Sequence, residues 1–219
     1  MKLRTAGVLF GLLTALPCRA AQVGGLAWPV EQRGLTTSLT VAYTEQTVKD
    51  GRDDSASLFR NLLRAEYGVL NDLGVYGTLG MSDIDIDKAD YRAGRGGSAG
   101  AGLRWGMVRS GDGSLQLVLN LEAEYLTVGD VRRTNYRAVT YVVKQYGASG
   151  TSGFFYPFGG FGVSYADYKG KGRVDDYHNK NFIGIFGGAD YFVSPNIYFS
   201  GEIHLIDEAA GYATVGYRF

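Results

Sequence analysis

Apolar and polar residues alternate with a period of two through most of the chain beyond residue 34. Successive side chains of a β-strand point to opposite faces, so this period predicts strands that are apolar on one face and polar on the other. In the clearest segment, 115–125, uncharged residues hold every odd position, while Glu122 and Glu124 lie on the other face. The pattern predicts an all-β fold.

We predict about ten strands, with eight as the alternative if the irregular sixth strand or the 154–167 segment is misassigned. In the sixth strand, Val139, Tyr141 and Val143 are expected on the apolar outer face. The predicted strands cover residues 35–48, 58–69, 73–82, 98–108, 115–125, 136–147, 155–167, 182–193, 197–206 and 211–219.

The connections between these strands alternate in length. Short links lie at 70–72, 109–113, 148–153 and 194–196, and longer, charged links lie at 49–57, 83–96, 128–135 and 167–180. This alternation predicts a closed antiparallel up-and-down barrel whose termini both lie at the end with the short turns, the periplasmic end. Strands of about ten to twelve residues match the ~9–11 needed to cross a bilayer at a tilt.

Charged residues within the predicted strands fall opposite the apolar face and therefore point into the lumen. This predicted lumen charge network comprises Arg60, Arg64, Glu66, Arg104, Glu122, Glu124, Asp190 and Glu202. Ionised groups in a narrow lumen must pair with one another or hold water. Tight pairing predicts a plugged, structural barrel, whereas water between the charges predicts a narrow channel.

A soluble secreted barrel shows the same period, with its apolar face inside. Two features favour the membrane alternative. The odd positions of 115–125 form a continuous uncharged face, and tyrosines such as Tyr43, Tyr67 and Tyr165 lie near strand ends, where interfacial aromatic residues are expected. We therefore predict a transmembrane β-barrel over 34–219.

The N-terminus predicts export. Residues 1–20 combine Lys2 and Arg4 with a short apolar run and a small residue at Ala20, which is typical of a cleaved signal peptide. The run is too short to span a bilayer as a helix. Residues 21–33 are expected to form a periplasmic lead-in to the barrel.

Composition excludes several classes of protein. The 22 basic and 22 acidic residues balance, and loss of Lys2, Arg4 and Arg19 with the signal leaves a small acidic excess, so no nucleic-acid partner is expected. The single cysteine, Cys18, lies in the signal segment. Neither disulfides nor thiolate chemistry is expected in the mature chain.

The segment Gly211–Phe219, with Val215, Tyr217 and Phe219 on one face, resembles the closing strand of bacterial outer-membrane β-barrels, as do the looser motifs at 157–163 and 188–191. The chain is similar to the OmpA-like transmembrane and porin-like families. The resemblance implies a cell outer membrane location and contact with outer-membrane lipid and lipopolysaccharide. It also implies a monomer whose C-terminal residues are read by the barrel-assembly machinery. No peptidoglycan-binding domain is expected after Phe219.

Two clusters suggest chemistry. Ser200, Glu202 and His204 share one strand face, but at ~3.3 Å per residue Ser200 and His204 lie about 13 Å apart, too far for a nucleophile and its base. A serine from a neighbouring strand could still pair with His204. Asp83 and Asp85, with two further aspartates at 87 and 90, suggest calcium but lack the spacing of a known calcium loop, so a solvated loop is preferred.

We therefore predict no catalytic residue, metal or cofactor. The expected function is a structural or surface-interaction barrel. A narrow passive porin-like channel is the alternative, followed by an outer-membrane lipid-modifying enzyme.

Overall fold

The computed structural model describes residues 25–50, 52–86, 91–147, 153–170, 176–179, 183–205 and 208–219. The predicted signal peptide lies outside these ranges. Among the described residues, no helix is long and apolar enough to cross a membrane. The strands are β1 Leu35–Asp50, β2 Arg52–Leu70, β3 Leu73–Ile86, β4 Tyr91–Arg109, β5 Leu115–Val128, β6 Val131–Lys144, β7 Tyr146–Gly147, β8 Phe154–Lys169, β9 Tyr177–Asn179, β10 Ile183–Phe192, β11 Ile197–Leu205 and β12 Glu208–Arg218.

Ten long antiparallel strands close into one barrel. Each strand pairs with its neighbours in chain order, β8 pairs with β10, and β12 returns to pair with β1. The short β7 extends the β6 edge against β8, and the short β9 bridges β8 and β1. The predicted fold class and the count of ten strands are confirmed.

The barrel has a turn end, with the links at 71–72, 110–114 and 193–196, and an opposite loop end. Strand heights differ at the loop end: β2 and β4 have 19 residues each, whereas β11 has nine. At the turn end, the Phe219 amide donates a hydrogen bond of 2.9 Å to the Leu35 carbonyl, which ties the last residue to the first strand.

An apolar belt surrounds the barrel. Outward side chains such as Leu39, Leu63 and Leu79 are 50%, 56% and 65% exposed. On β2 the belt runs from Tyr67 to Phe59, nine residues or roughly 26 Å along the strand, which matches a tilted bilayer crossing. An apolar surface of this size, interrupted on β2 by the exposed Asn61, is unfavourable in water and favourable in hydrocarbon, so the alternation is that of a membrane barrel.

Two of the predicted loops are mostly strand. Above the apolar belt, the described parts of the predicted loops 49–57 and 83–96 instead continue the β1–β2 pair in register and the β3–β4 pair with one irregularity between Ser82 and Ile84. Likewise, the β5–β6 link spans only residues 129–130, where Gly129 adopts a left-handed φ of 54°, rather than 128–135. The strands continue because the alternation persists after the outward residues become polar. We call this polar part of the wall, beyond Phe59 on β2, the rim.

The predicted orientation of the sixth strand is wrong. Val139, Tyr141 and Val143 are buried in the lumen, while Tyr136 and Val142 face outward. The lumen here is apolar because these side chains pack on residues of the N-terminal segment and on aromatic side chains of β8 and β10. An apolar residue on this strand therefore does not mark the lipid face.

The N-terminal segment enters the barrel. Leu26, Ala27 and Val30, which belong to the predicted lead-in 21–33, are buried. A turn at residues 31–34, with a left-handed Arg33 at φ 66°, then feeds the chain into β1. We call residues 25–31 the lumen strap.

Candidate functional site: the filled lumen

Three layers of side chains fill the lumen. The lumen strap and an aromatic cluster occupy the turn half, a network of ion pairs occupies the middle, and a second apolar cluster lies inside the rim. Every member of the predicted charge network faces inward, and all except Glu122 are fully buried, with Glu122 only partly accessible. The packing of these layers determines whether anything can pass.

Glu124 on β5 is the centre of the middle layer. Its carboxylate lies 3.2 Å from Arg60 Nη1, 3.3 Å from Arg137 Nη2 and 3.4 Å from Arg133 Nη1. Arg137 also reaches Glu122 at 3.1 Å, and Arg60 donates to the Thr44 hydroxyl at 3.2 Å. Three guanidinium groups therefore converge on one carboxylate across β2, β5 and β6, which leaves little room for water between them.

Glu66 on β2 organises a second group nearer the turn end. Arg64 Nη2 lies 3.0 Å and Arg104 Nη1 3.2 Å from Glu66 Oε2. The Arg64 guanidinium stacks on the Tyr76 ring, with its central carbon 3.4 Å from the ring centroid. The Tyr76 hydroxyl donates 3.0 Å to Glu122, so aromatic and ionic contacts connect the two groups.

The buried charges of the lumen balance. Five arginines face five carboxylates among the described residues, so neutrality requires no bound ion. The arginines are Arg60, Arg64, Arg104, Arg133 and Arg137, and the carboxylates are Glu66, Glu122, Glu124, Asp190 and Glu202. The five arginines all pair with Glu66, Glu122 or Glu124, whereas Asp190 accepts the Ala27 amide and Glu202 contacts His204.

The lumen strap is held by buried polar contacts. The Ala27 amide donates to Asp190 at 2.7 Å, and the Tyr141 hydroxyl donates to the Ala27 carbonyl at 2.7 Å. Arg104 donates to the Leu26 carbonyl. Because these contacts come from β4, β6 and β10, the strap crosses the lumen rather than lining one wall.

Apolar packing completes the turn half. Leu26 and Ala27 belong to a cluster that includes Val118, Tyr156 and Phe186, and the Trp28 ring lies 5.8 Å from that of Tyr156. Several aromatic side chains occupy the space above inward glycines: a Cβ added at Gly102 would lie 2.3 Å from Tyr76, and one at Gly216 would lie 2.2 Å from Tyr198. The inward glycines are therefore part of the packing.

A second apolar cluster closes the loop end. Leu58, Ile84, Leu126 and Val128 are at most 1% exposed and pack together inside the rim. Tyr168 belongs to the same cluster, and its hydroxyl donates 2.9 Å to Gln46. The cluster lies between the ionic layer and the loop-end solvent.

Several residues of the lumen were missed by sequence reasoning. The sequence pattern does not predict Arg133 and Arg137 in the lumen, because it begins the sixth strand at residue 136 and places Val139 on the outer face. The signal that could have found them is the alternation of Arg133, Asn135 and Arg137, all three buried, over residues 131–137. Tyr76 was placed inward, but its sequence position does not reveal its contacts with Arg64 and Glu122.

The sequence also suggested a site at Ser200, Glu202 and His204, a cluster of aspartates from Asp83, and an assembly signal at the C-terminus. His204 is buried in the lumen, with Nε2 2.5 Å from Glu202, while Ser200 lies opposite Asp190 across the β10–β11 pair.

Asp87 and Asp90 lie outside the described residues, and within the described ranges no three His, Cys, Asp or Glu residues form a group suited to a metal ion. Val215, Tyr217 and Phe219 all face outward, and their role as an assembly signal stays a prediction.

Three solved structures align with most of this chain at low identity. Ail, the attachment invasion locus protein of Yersinia pestis, has 18% identity over 86% of this chain and 99% of its own, with a TM-score of 0.33. The outer membrane protein OprG from Pseudomonas aeruginosa has 14% identity over 87% and 98%, with a TM-score of 0.36. LpxR from Salmonella typhimurium has 7% identity over 85% and 99%, with a TM-score of 0.42.

No family model matches the chain, and no curated protein sequence does. The class is therefore defined by architecture: the protein is a closed antiparallel β-barrel of the outer-membrane type. Membership in the OmpA-like or porin-like families stays a prediction.

Proposed function

We propose that the protein is a monomeric outer-membrane barrel with a closed lumen and a structural or surface-interaction role. The observation that carries this proposal is the filled lumen, in which the strap, the balanced ionic layer and the rim cluster lie one above another. A conducting pore needs a continuous polar path, and each of the two apolar layers interrupts one. With a closed lumen, the barrel presents its loop end for surface interactions and stabilises the surrounding membrane.

Single-channel recording in planar bilayers tests the closed lumen directly. We expect the full-length protein to insert without conductance steps, because ions would have to displace tightly paired guanidinium and carboxylate groups. Insertion is checked independently by protease protection of the protein reconstituted into vesicles of the same lipid. Regular conductance steps from correctly inserted protein would overturn the proposal and favour the narrow channel.

A strap deletion tests which layer closes the barrel. Removing residues 25–31 takes the strap out of the turn half but leaves the aromatic cluster, the Glu124 network and the rim cluster in place. We expect this variant to remain closed to ions. Conductance in the deletion variant alone would mean that the strap is the barrier and that the barrel is a gated channel.

We also propose that the barrel is not an enzyme. His204 is 1% exposed and its Nε2 faces Glu202, which leaves a membrane lipid no access to the imidazole. A His204→Ala variant should leave the lipid A of producing cells unchanged by mass spectrometry relative to wild type. A His204-dependent change in acyl-chain composition would contradict this assignment.

Assembly is proposed to depend on the C-terminal residues. Phe219 is exposed and stacks edge-on against Tyr217, with the ring centroids 4.8 Å apart. Deleting Phe219 should reduce insertion by the barrel-assembly machinery, measured as the heat-modifiable fraction on gels. A Phe199→Ala variant, which removes an equally outward phenylalanine from β11, is the matched control.

A further inference from the structure

A cavity and a groove meet on the outer wall at two aromatic residues, Tyr43 on β1 and Phe59 on β2. The two residues are cross-strand partners and are 51% and 44% exposed. A cavity of about 540 Å³ lies beside them in the rim, and a groove of about 760 Å³ runs from them across β12, β11 and β10 in the apolar belt. Because both residues line both spaces, the cavity and the groove form one continuous site.

The cavity combines an aromatic wall with polar groups of both signs. Ser57, Asp85 and the exposed Arg95 line it, together with the half-buried Asp83. A saccharide matches such a lining, because its C–H groups pack on aromatic side chains while its hydroxyl groups both donate and accept hydrogen bonds. A headgroup whose only polar part is a phosphate matches it less well, because it has no donor for the aspartates and is repelled by them.

The cavity is built into the pairing of β3 with β4. Ser82 pairs with Gly96 and Ile84 pairs with Ala93, so Asp83 faces two residues of β4. Such a bulge bends its strand and re-aims the neighbouring side chains. The cavity is therefore a feature of the sheet itself and is bordered by strand residues.

The groove has a floor of small outward residues. Ala189, Gly201 and Ala213 lie side by side on β10, β11 and β12, because Gly201 is the cross-strand partner of both alanines. The groove lining further includes Val41, Gly187, Ile203 and Gly211. The floor therefore presents backbone and methyl groups to the bilayer.

The packing of the barrel itself does not require glycine in this floor. A Cβ added at Gly201 or Gly211 would meet no atom within 4 Å, and neither glycine has a left-handed φ. The inward Gly102 and Gly216 differ, because aromatic side chains occupy the space above them. Glycine weakens a strand and marks places where another molecule approaches the backbone closely. An acyl chain lying in the groove is such a molecule.

We propose that this site binds the lipid A portion of lipopolysaccharide, with the saccharide in the cavity and an acyl chain in the groove. The sugar packs on Tyr43 and Phe59. Its hydroxyl groups donate to Asp85, and its phosphate accepts from Arg95. The cavity lies on the loop-end side of the belt, opposite the predicted periplasmic termini, and so faces the leaflet that holds lipopolysaccharide.

The inference rests on the outer-membrane placement in the proposed function, but it does not depend on whether the lumen conducts. Native mass spectrometry of the detergent-purified protein, titrated with lipid A or cardiolipin, measures the preference. Cardiolipin is the matched probe, because it also carries phosphates and several acyl chains but has no saccharide. We expect the wild type to bind lipid A about tenfold more tightly, through the aromatic packing and hydrogen bonds of the sugar.

Two pairs of variants test the cavity. Tyr43→Ala should remove most of the preference for lipid A, whereas Tyr136→Ala, a similarly exposed outward tyrosine on β6, should leave it intact. Arg95→Gln should weaken lipid A binding through the phosphate, whereas Arg132→Gln, at an exposed rim position on β6, should not. Heat-modifiable migration on gels verifies that each variant is folded, so a folded wild type without the preference contradicts this inference and not the closed lumen.

A further pair of variants tests the groove. Gly201→Val places a side chain in the groove without an internal clash and should weaken lipid A binding severalfold. Gly77→Val makes the same change on the outer face of β3, where a Cβ meets its nearest atom only at 3.9 Å, and should leave binding unchanged. Equal affinities of the two variants for lipid A would mean that no acyl chain occupies the groove.

Three further outcomes would overturn the proposal. The first is equal binding of lipid A and cardiolipin by the wild type. The second is lipid A binding that disappears with a chelator of divalent cations, which would assign the aspartates to a cation bridge. The third is displacement of lipid A by its deacylated saccharide at equal concentration, which would show that the cavity binds a soluble sugar and that the belt contributes nothing.

Discussion

The wall below Phe59 and the wall above it belong to the same strands but have opposite polarity. Below, Leu63 faces outward and Arg64 faces the lumen, whereas above, the polar Ser57 faces outward and Leu58 is fully buried inside. The strands thus exchange their apolar and polar faces as they leave the membrane. The surrounding solvent, hydrocarbon below and water above, determines which face must be apolar.

The ionic layer of the belt and the apolar cluster of the rim are therefore stabilised by different forces. In the middle of the belt, stability inside the barrel depends on satisfying buried charges with one another, while the lumen strap and the aromatic cluster fill the turn half. In the rim, the interior is an ordinary hydrophobic cluster, as in a soluble protein. Substitutions of the same kind in the two regions should therefore have different effects.

The largest expected effect is the loss of Glu124. Glu124→Gln removes the shared partner of Arg60, Arg133 and Arg137 and leaves buried positive charge, which costs about 3–5 kcal/mol. Urea unfolding in lipid vesicles, followed by tryptophan fluorescence, measures the change in the free energy of unfolding. The control is Glu45→Gln, the same change at an exposed rim position. Equal stabilities for the two variants would contradict the ionic account of the middle layer.

Leucine truncation compares the two faces of β2. Leu58→Ala opens a void in the rim cluster and should cost about 2–5 kcal/mol. Leu63→Ala, on the lipid-facing side of the same strand, leaves no internal void and should cost less. The same unfolding measurement applies, and a larger loss for Leu63→Ala would mean that the rim interior is not a packed core.

The sequence pattern predicts lumen residues well in the belt of β2 and β5 and poorly at the rim and on β6. Within the belt, the alternation placed Arg60, Arg64 and Glu124 correctly, because lipid outside and charge inside give an unambiguous period. It failed at the rim, where residues 49–57 and 83–96 show polar outward positions and so resemble loops. It also failed on β6, whose inward Val139 and Tyr141 contact a lumen strap that no local pattern reveals.

Filling the space above an inward glycine has a smaller expected effect. A Cβ at Gly102 would lie 2.3 Å from both the Tyr76 ring and the Leu121 carbonyl oxygen, so Gly102→Val should displace the ring and strain the β4–β5 pair, at a cost of about 1–3 kcal/mol. Gly77→Val is the control, because a Cβ there meets its nearest atom only at 3.9 Å. Equal stability of the two variants would show that the Gly102 position is not tightly packed.

The smallest effect concerns pH at a turn outside both lumen regions. Hydrogen bonds from Ser110 and Ser114 lower the pKa of Asp112 to about 2. Because the folded pKa lies below the unfolded value of about 3.9, this contribution is present above pH 4 and is lost as the pH falls through 2. Amide chemical shifts of Ser114 should follow this titration, and Asp112→Asn should abolish it. A midpoint near 4 in the wild type would contradict the turn geometry.

The pairing of the first strand with the last has a consequence for how the chain can fold. Thr36 lies opposite Arg218, so the seam joins residues that are almost the whole chain apart in sequence. Loop-closure entropy makes such a contact slow to form, and until it forms both outer strands carry open edges that can pair with other chains. A nascent or truncated chain without β12 is therefore an aggregation-prone open sheet. Folding becomes cooperative only when β12 is available to pair with β1 and close the barrel.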